Sequence, residues 1–512
     1  MNTKLILTSI VIFFTSMLFA QAPAIQWQKT FGGSNGDIAT SIQQTTDGGY
    51  ILAGFTSSTN GDVTGTGTGD ALVVKFDIGG TIQWQKTLGG SMYDSASSIQ
   101  QTTDGGYILA GYSNSNDGDV SGNHGSYDFW VVKLDNSGSV QWQKSLGGND
   151  SDLATSIKQT TDGGYVVCGR TVSGWILGNG DVSGNHGSYD FWVVKLNNNG
   201  AIQWQKCLGG SGIDEASSIQ QTTDGGYIVG GYSNSINGDV TGNKGSADYW
   251  IVKLDNNGAI QWQKSFGSTY NDSAKSIQQT LDGGYIMAGT IAQGNGNVNL
   301  FYGNNDYWVV KLTSNGEIQW QKTLGGSNFD DVSSIQQTSD GGYIVGGSSS
   351  SNNYNVTGNH GSQDYWVVKL NTSGVVQWQK SMGGSDLDIA TSLQQTSDGG
   401  YIVAGYSLSN NGDVSGAHGD NDIWVVKLYK DILSTNEVSI DNKILIENPV
   451  KGQLNIQTKE TITSLQLYNV TGQLVKTATS QNISVKELAK GNYILKIQLE
   501  NGKVISEKIV KE

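Results

Sequence analysis

Along most of the chain, apolar positions recur every second residue, in short runs broken by Gly, Asn, Asp and Ser. No segment carries a helical period of useful length. Residues 331–349, "DVSSIQQTSDGGYIVGGSS", show the unit. "SSIQQT" predicts a strand (a), "SDGG" a tight hairpin turn and "YIVGGSS" a second strand (b). A loop of a dozen or more residues follows. "DYWVVKL" then predicts a third strand (c), "NTSG" a turn and "VVQWQKSM" a fourth (d). Strands b and c are almost continuously apolar, as expected when both faces are covered. Strand d alternates, with Gln26 and Gln28 set against Ile25 and Trp27.

The unit repeats. The strand-d tryptophans are Trp27, Trp84, Trp142, Trp204, Trp262, Trp320 and Trp378, spaced by 57, 58, 62, 58, 58 and 58 residues. Four strands at this period predict the blades of a propeller. Strands b, starting at Tyr50 and ending the series at Tyr401, number seven, and so do strands c and d. The first d strand, "IQWQK" from Ile25, precedes every a, b and c, whereas the last unit ends at "DIWVVKL", residues 422–428, without a d strand. We therefore expect an all-β, seven-bladed β-propeller over residues 21–430, its final blade completed by the N-terminal strand. Such closure leaves no open edge.

Residues 1–20 have the charge (Lys4), apolar run and small terminal residue (Ala20) of a secretory signal peptide. No later run is long and apolar enough for a transmembrane helix. The net charge of −15 argues against nucleic acid as a partner. In residues 21–430 the acids are Asp except for Glu215 and Glu317, and three Asp recur in every unit. These are Asp37 to Asp388 opening strand a, Asp47 to Asp398 in the hairpin turn, and Asp70 to Asp422 opening strand c. A catalytic group is needed once, so a residue present in every unit is read as architectural. Cys168 and Cys207 fall on strands b and d of one unit, about 9.5 Å apart with c between them. That is too far for a bridge, and both are expected to be free, buried thiols.

Candidate chemistry concentrates in the b–c loops. All four histidines lie there, His124, His186, His360 and His418, within stretches such as "NGDVSGNHGSYD". Asp117, Asp119, Ser121 and Asn123 alternate like a calcium loop without its bidentate Glu. Ca²⁺ is thus the only cofactor the sequence suggests, and turn formation with solvated histidines is the preferred reading. Departures from the repeat point elsewhere. Trp175 in the third unit, Phe301 and Tyr302 in the fifth and Tyr354 in the sixth place aromatics on one rim. There they either stack on sugar rings or cover neighbouring loops. A glycosidase needs two paired carboxylates. Of the non-recurring candidates Asp117, Asp150, Glu215, Asp331, Asp386 and Asp420, nothing singles out a pair. Binding or adhesion to a glycan or protein is expected, with a glycan-active hydrolase and a structural surface protein as rivals.

The period stops near residue 430. A polar linker, 431–440, leads to a β-rich module, 441–512, whose alternating strands suggest a small Ig-like sandwich. Asn448-Pro449, "LYNVTGQLV" with Gly472, "GNYILKI" with Gly491, and "KIVK" with Lys511 carry a resemblance. The module resembles the type A C-terminal sorting domain of the type IX secretion system of Bacteroidetes. It departs from it at Glu447, where the family has another Pro, and in ending on Glu512. The resemblance implies the type IX machinery as a partner and release or anchoring at the cell surface. The repeats are similar to Gly/Trp-rich propeller repeats of such exported proteins, a likeness that transfers no catalytic residues.

Overall fold

The computed structural model describes residues 21–63, 65, 69–174, 180–431, 445–446, 450–458, 461–469, 472–479, 481–500 and 504–511. The signal segment 1–20, Trp175, Asn448 and Pro449 lie outside the described residues. The chain divides into two compact units, Met1–Ile432 and Leu433–Glu512.

Described residues of the first unit form seven four-stranded antiparallel sheets and no helix, a propeller-like repetition. The first sheet runs a (Asp37–Gln44), b (Tyr50–Thr56), c (Asp70–Phe76) and d (Ile82–Leu88), and the next five repeat that order. The seventh takes a, b and c from Asp388–Gln395, Tyr401–Ser407 and Asp422–Leu428, and its outer strand is Ile25–Phe31. The N-terminal strand pairs as its siblings do. Trp27 stands opposite Lys427 as Trp84 stands opposite Lys75, each with a bulge on its N-terminal side.

Both faces of strands b and c are buried, so a sheet is stable only between two neighbours. Each apolar cluster mixes residues of adjacent sheets. One joins Tyr50, Leu52 and Leu72 of the first sheet to Ile402, Ile423 and Val425 of the seventh. Each d-strand Trp meets the Tyr opening strand b of the following sheet edge-on, from Trp84–Tyr107 at 5.7 Å to Trp27–Tyr50 at 5.7 Å between the seventh sheet and the first. Cys168 and Cys207 are free and buried, in different clusters on opposite faces of one sheet.

The inner strands are clasped by polar groups. The first Gln of "QQT" accepts a backbone N–H from one neighbouring sheet, and the second accepts from the other. Gln43 Oε1 takes Gln101 N–H at 2.9 Å and Gln101 Oε1 takes Thr46 N–H at 2.8 Å. The same bonds join the seventh sheet to the first, where Gln44 N–H donates to Gln394 at 2.7 Å and Ser397 N–H to Gln44 at 2.7 Å. Asp37 N–H also donates to Asn421 O at 2.7 Å, as Asp94 N–H does to Gly69 O at 2.9 Å. Between the third and fourth sheets Lys158 replaces the accepting glutamine. An ammonium has no acceptor to offer Gln221, and burial lowers the Lys158 pKa.

The recurring acids divide the remaining work. In the hairpin turn, Asp47 accepts from Thr45, Gly49 N–H and buried Lys75 Nζ at 2.9 Å, and every unit repeats the Lys–Asp pair. Burial alone would raise the Asp47 pKa, but these donors outweigh it and bring it to about 2. The other two acids meet at each junction, c of one sheet facing a of the next across a glycine. A Cβ on Gly147 would lie 2.5 Å from Asp128 Oδ1 and 2.6 Å from Asp152 Oδ2. Burial and the facing carboxylate push these acids up, to about 6 for Asp152, Asp190 and Asp248 and about 7 for Asp306.

In the second unit Leu445–Ile446, Gln453–Gln457 and Asn482–Ser484 form one sheet. Leu474–Ala478, Ile462–Asn469, Gly491–Leu499 and Val504–Lys511 form another. Both contribute to a single apolar cluster, Leu454 and Ile483 from one and Leu465 and Leu495 from the other. Gly472 turns at φ 81°, and Gly491 pairs with Lys511 across the strands that close the chain.

Removing residues 21–31 should destabilise all seven sheets together, because burial of Phe31 alone contributes about 1.5–3 kcal/mol. Calorimetry should show one transition at a lower temperature, and an unchanged melting point would refute the role given to this strand. Lys158→Gln should restore the missing clasp and raise stability by about 1 kcal/mol, read as a higher denaturation midpoint. A lower midpoint would remove the clasp from the account.

A third prediction concerns pH. Junction acids such as Asp152 and Asp306 have raised folded pKa values, so their penalty builds as pH rises above the unfolded value of 3.8 and is complete above about 6–7. The turn acids are held below the ordinary carboxylate value, Asp47 at about 2, so their contribution is lost only as pH falls below the unfolded value of 3.8. Thermal stability should therefore be greatest at about pH 4 and be higher at pH 5 than at pH 8, and a maximum at alkaline pH would contradict this assignment.

Candidate functional site

The d–a and b–c loops share one end of the sheets and form its rim. They are laced to each other, Asp62 N–H donating to Gly32 O at 2.8 Å in the first unit. The histidines serve this lacing. His124, His186 and His360 each turn Nδ1 back on the buried Asp that opens their own strand c, at 2.8, 2.7 and 2.7 Å, and the backbone N–H of each reaches the same oxygen. His418 Nε2 reaches Asp62 Oδ2 of the first unit at 3.8 Å, and its Nδ1 lies 3.7 Å from Asp422. The four belong to four different units and do not converge.

The side chains of the calcium-like loop are engaged by backbone groups, mostly of the adjacent d–a loop and strand b. Asp117 accepts Ser91 N–H at 2.7 Å and Asp119 accepts Gly89 N–H at 3.3 Å. Asn123 donates to Ser113 O at 2.9 Å and accepts Gly125 N–H at 2.9 Å. Among the described residues no group of three or more His, Cys, Asp or Glu side chains is placed to hold a metal. The rim aromatics divide as well. Phe301 packs against the core cluster of the fifth unit, whereas Tyr302 and Tyr354 meet at 5.3 Å on the surface.

Where the a strands of successive sheets approach one another lies a site that the repeat pattern conceals. Each strand a carries a bulge after its third residue, which re-aims one side chain. Thr40, Ser97, Thr155, Ser217, Lys275 and Ser333, one from each of six sheets, line a central cavity of about 400 Å³. The seventh bulge residue, Thr391, donates to Ala39 O of the first sheet at 2.7 Å. Lys275 is exposed and is the only cation in this series.

Toward the rim end of strands a and b the units differ most from one another. Phe55 stacks on Tyr93 at 4.8 Å, Tyr93 lies parallel to Tyr112 at 6.0 Å, and Tyr127 meets Tyr112 edge-on at 5.7 Å. Arg170 sits 4.9 Å over Tyr189 and pairs with Glu215, which also cavity-lining Tyr232 contacts. The corresponding residues of the fifth and sixth units are small or polar, Thr290 and Ser348. One side of the mouth is thus aromatic and the other open. Of the non-recurring acids, Glu215 is held by Arg170 and Asp331 accepts Asn305 Nδ2 at 3.2 Å.

Comparison with known proteins bears chiefly on the second unit. Over 225 residues the chain is 28% identical to the "Regulatory protein FlaEY" of Caulobacter vibrioides. The match covers 41% of this chain and 23% of that protein, so the chain spans under a quarter of its relative's length. Among solved structures, the extracellular domain of a putative one-component system from B. thetaiotaomicron is similar at 12% identity and a TM-score of 0.38, over 93% of this chain and 58% of that one. Sqt1 from Chaetomium thermophilum is similar at 12% identity and a TM-score of 0.41, over 80% and 100%. Residues 448–512 match the family described as "Secretion system C-terminal sorting domain". The end of this chain is therefore a type IX sorting domain, and the protein is exported to the cell surface or beyond.

Proposed function

We propose that residues 21–430 are a closed seven-bladed β-propeller that binds glycans at the cell surface, carried there by the two-sheet, sandwich-like module of residues 441–512. Closure is supported by the bonds that join the seventh sheet to the first in the pattern seen between other neighbours, Gln394 to Gln44 and Asn421 to Asp37 among them. The observation that carries the function is where the units differ. Positions that hold the ring together repeat almost without change, while variation gathers at the axial mouth and on the rim beside it. Tyrosines with free edges, hydroxyls and amides at such a mouth suit sugar rings. No pair of acids there is free for glycoside hydrolysis, since Glu215 and Asp331 are each engaged.

The test is a glycan array and a hydrolysis screen on residues 21–430, with Tyr112→Ala beside the wild type. Binding without turnover, weakened in the variant, is the expected outcome. Hydrolysis that disappears in Glu215→Gln would make the protein an enzyme, and silence on every glycan would leave a structural surface role.

A further inference from the structure

Tyr354 is the only non-glycine residue with a positive φ among the described residues, at 54°. The position it occupies is glycine in the six other units, Gly61, Gly118, Gly180, Gly238, Gly296 and Gly412, with φ between 60° and 74°. Left-handed backbone suits glycine because it has no Cβ. Space argues the same way. A Cβ on those glycines would approach a backbone carbonyl of the d–a loop at 2.1–2.4 Å. The sixth unit therefore holds a tyrosine against both the backbone and the packing that its siblings respect. Its ring is not repaid by burial, for Tyr354 is 67% exposed. Strain retained at an exposed side chain points to a role outside the fold.

The ring meets a second departure from the repeat. Tyr302 of the fifth unit takes the place of His124, His186, His360 and His418. Its backbone N–H keeps their bond to the strand-c Asp, at 2.6 Å to Asp306, but its ring leans on Tyr354 at 5.3 Å and 37°. Its hydroxyl engages Asn355, the residue after Tyr354. Two substitutions in successive units thus build one aromatic shelf, Tyr354 exposed and Tyr302 half-buried, bordered by the amides of Asn353 and Asn355. Asn353 spans to Ser327 at 2.9 Å, which fixes the edge of the shelf.

We propose that Tyr302 and Tyr354 form a stacking platform for an uncharged pyranose ring, the amide border serving its hydroxyls. This rests on the glycan-binding reading given above and locates it. Two tyrosines offer far less than the roughly 800 Å² that each partner buries in a stable protein complex, so a single ring is a better match than a protein surface. Neighbouring polar groups are amides, which satisfy neutral hydroxyls without favouring a charge.

Tyr354→Gly, which installs the sibling residue, separates a binding role from a structural one. We expect it to raise the melting temperature by a few degrees and to weaken binding of neutral oligosaccharides about tenfold, the worth of one aromatic stack. Tyr302→His, again a sibling residue, should weaken binding with the melting temperature unchanged. Titration calorimetry would use cello-, manno- and galacto-oligosaccharides beside their uronic-acid counterparts. A fall in melting temperature for Tyr354→Gly would make the tyrosine structural and overturn the proposal. Undiminished binding in both variants would overturn it while leaving a glycan-binding propeller. Preference for the uronic acids would overturn the neutral assignment, and no binding by the wild type would remove both readings.

Discussion

Each of the seven sheets of the first unit has two apolar faces and therefore needs two neighbours. Strand c is buried over its whole length and strand b nearly so, and an isolated four-stranded unit would therefore expose apolar surface on both faces. The consequence is mutual dependence. Every core cluster belongs to two sheets, and the cluster between seventh and first is built like the rest. The N-terminal strand is needed for the same reason, since without Ile25–Phe31 the strand Asp422–Leu428 would end the array with an open edge.

Close approach of apolar faces leaves polar backbone near the axis to be satisfied, and the sequence assigns that task to side chains. The paired glutamines reach in opposite directions, one to each neighbour, so every inner strand is held from both sides. Buried carboxylates then meet at the junctions, which is why a glycine stands between them and why burial raises the pKa of acids such as Asp306. Lys158 and Tyr354 show what departure from these rules involves. One removes a clasp and the other forces left-handed backbone on a bulky residue.

Much of this could be read from the sequence because it is periodic. The strand types, their unequal burial, the free cysteines and the pairing of "IQWQK" with the last unit all follow from counting and alternation. The glutamines could not be read so, because "QQT" looks like any polar strand end until the bulge places both amides against neighbouring backbones. The axial mouth was hidden for the opposite reason. Phe55, Tyr112, Arg170 and Tyr232 hold one position of successive repeats, and a position that changes each time yields no pattern to notice. Tyr302 and Tyr354 were visible as added aromatics, but neither their contact nor the backbone strain is written in composition.

The pairing of Ile25 with Leu428 joins residues 428 − 25 = 403 positions apart. Loop-closure entropy grows slowly, so closing this loop and not a single 58-residue repeat costs only about 1.7 kcal/mol, nearly three doublings. The kinetic effect is larger, because contacts this distant in sequence form late. A chain that becomes available in order therefore keeps its last sheet unfinished until both ends of the repeat array are present. Folding of the repeat array is thus tied by topology to the arrival of both of its ends.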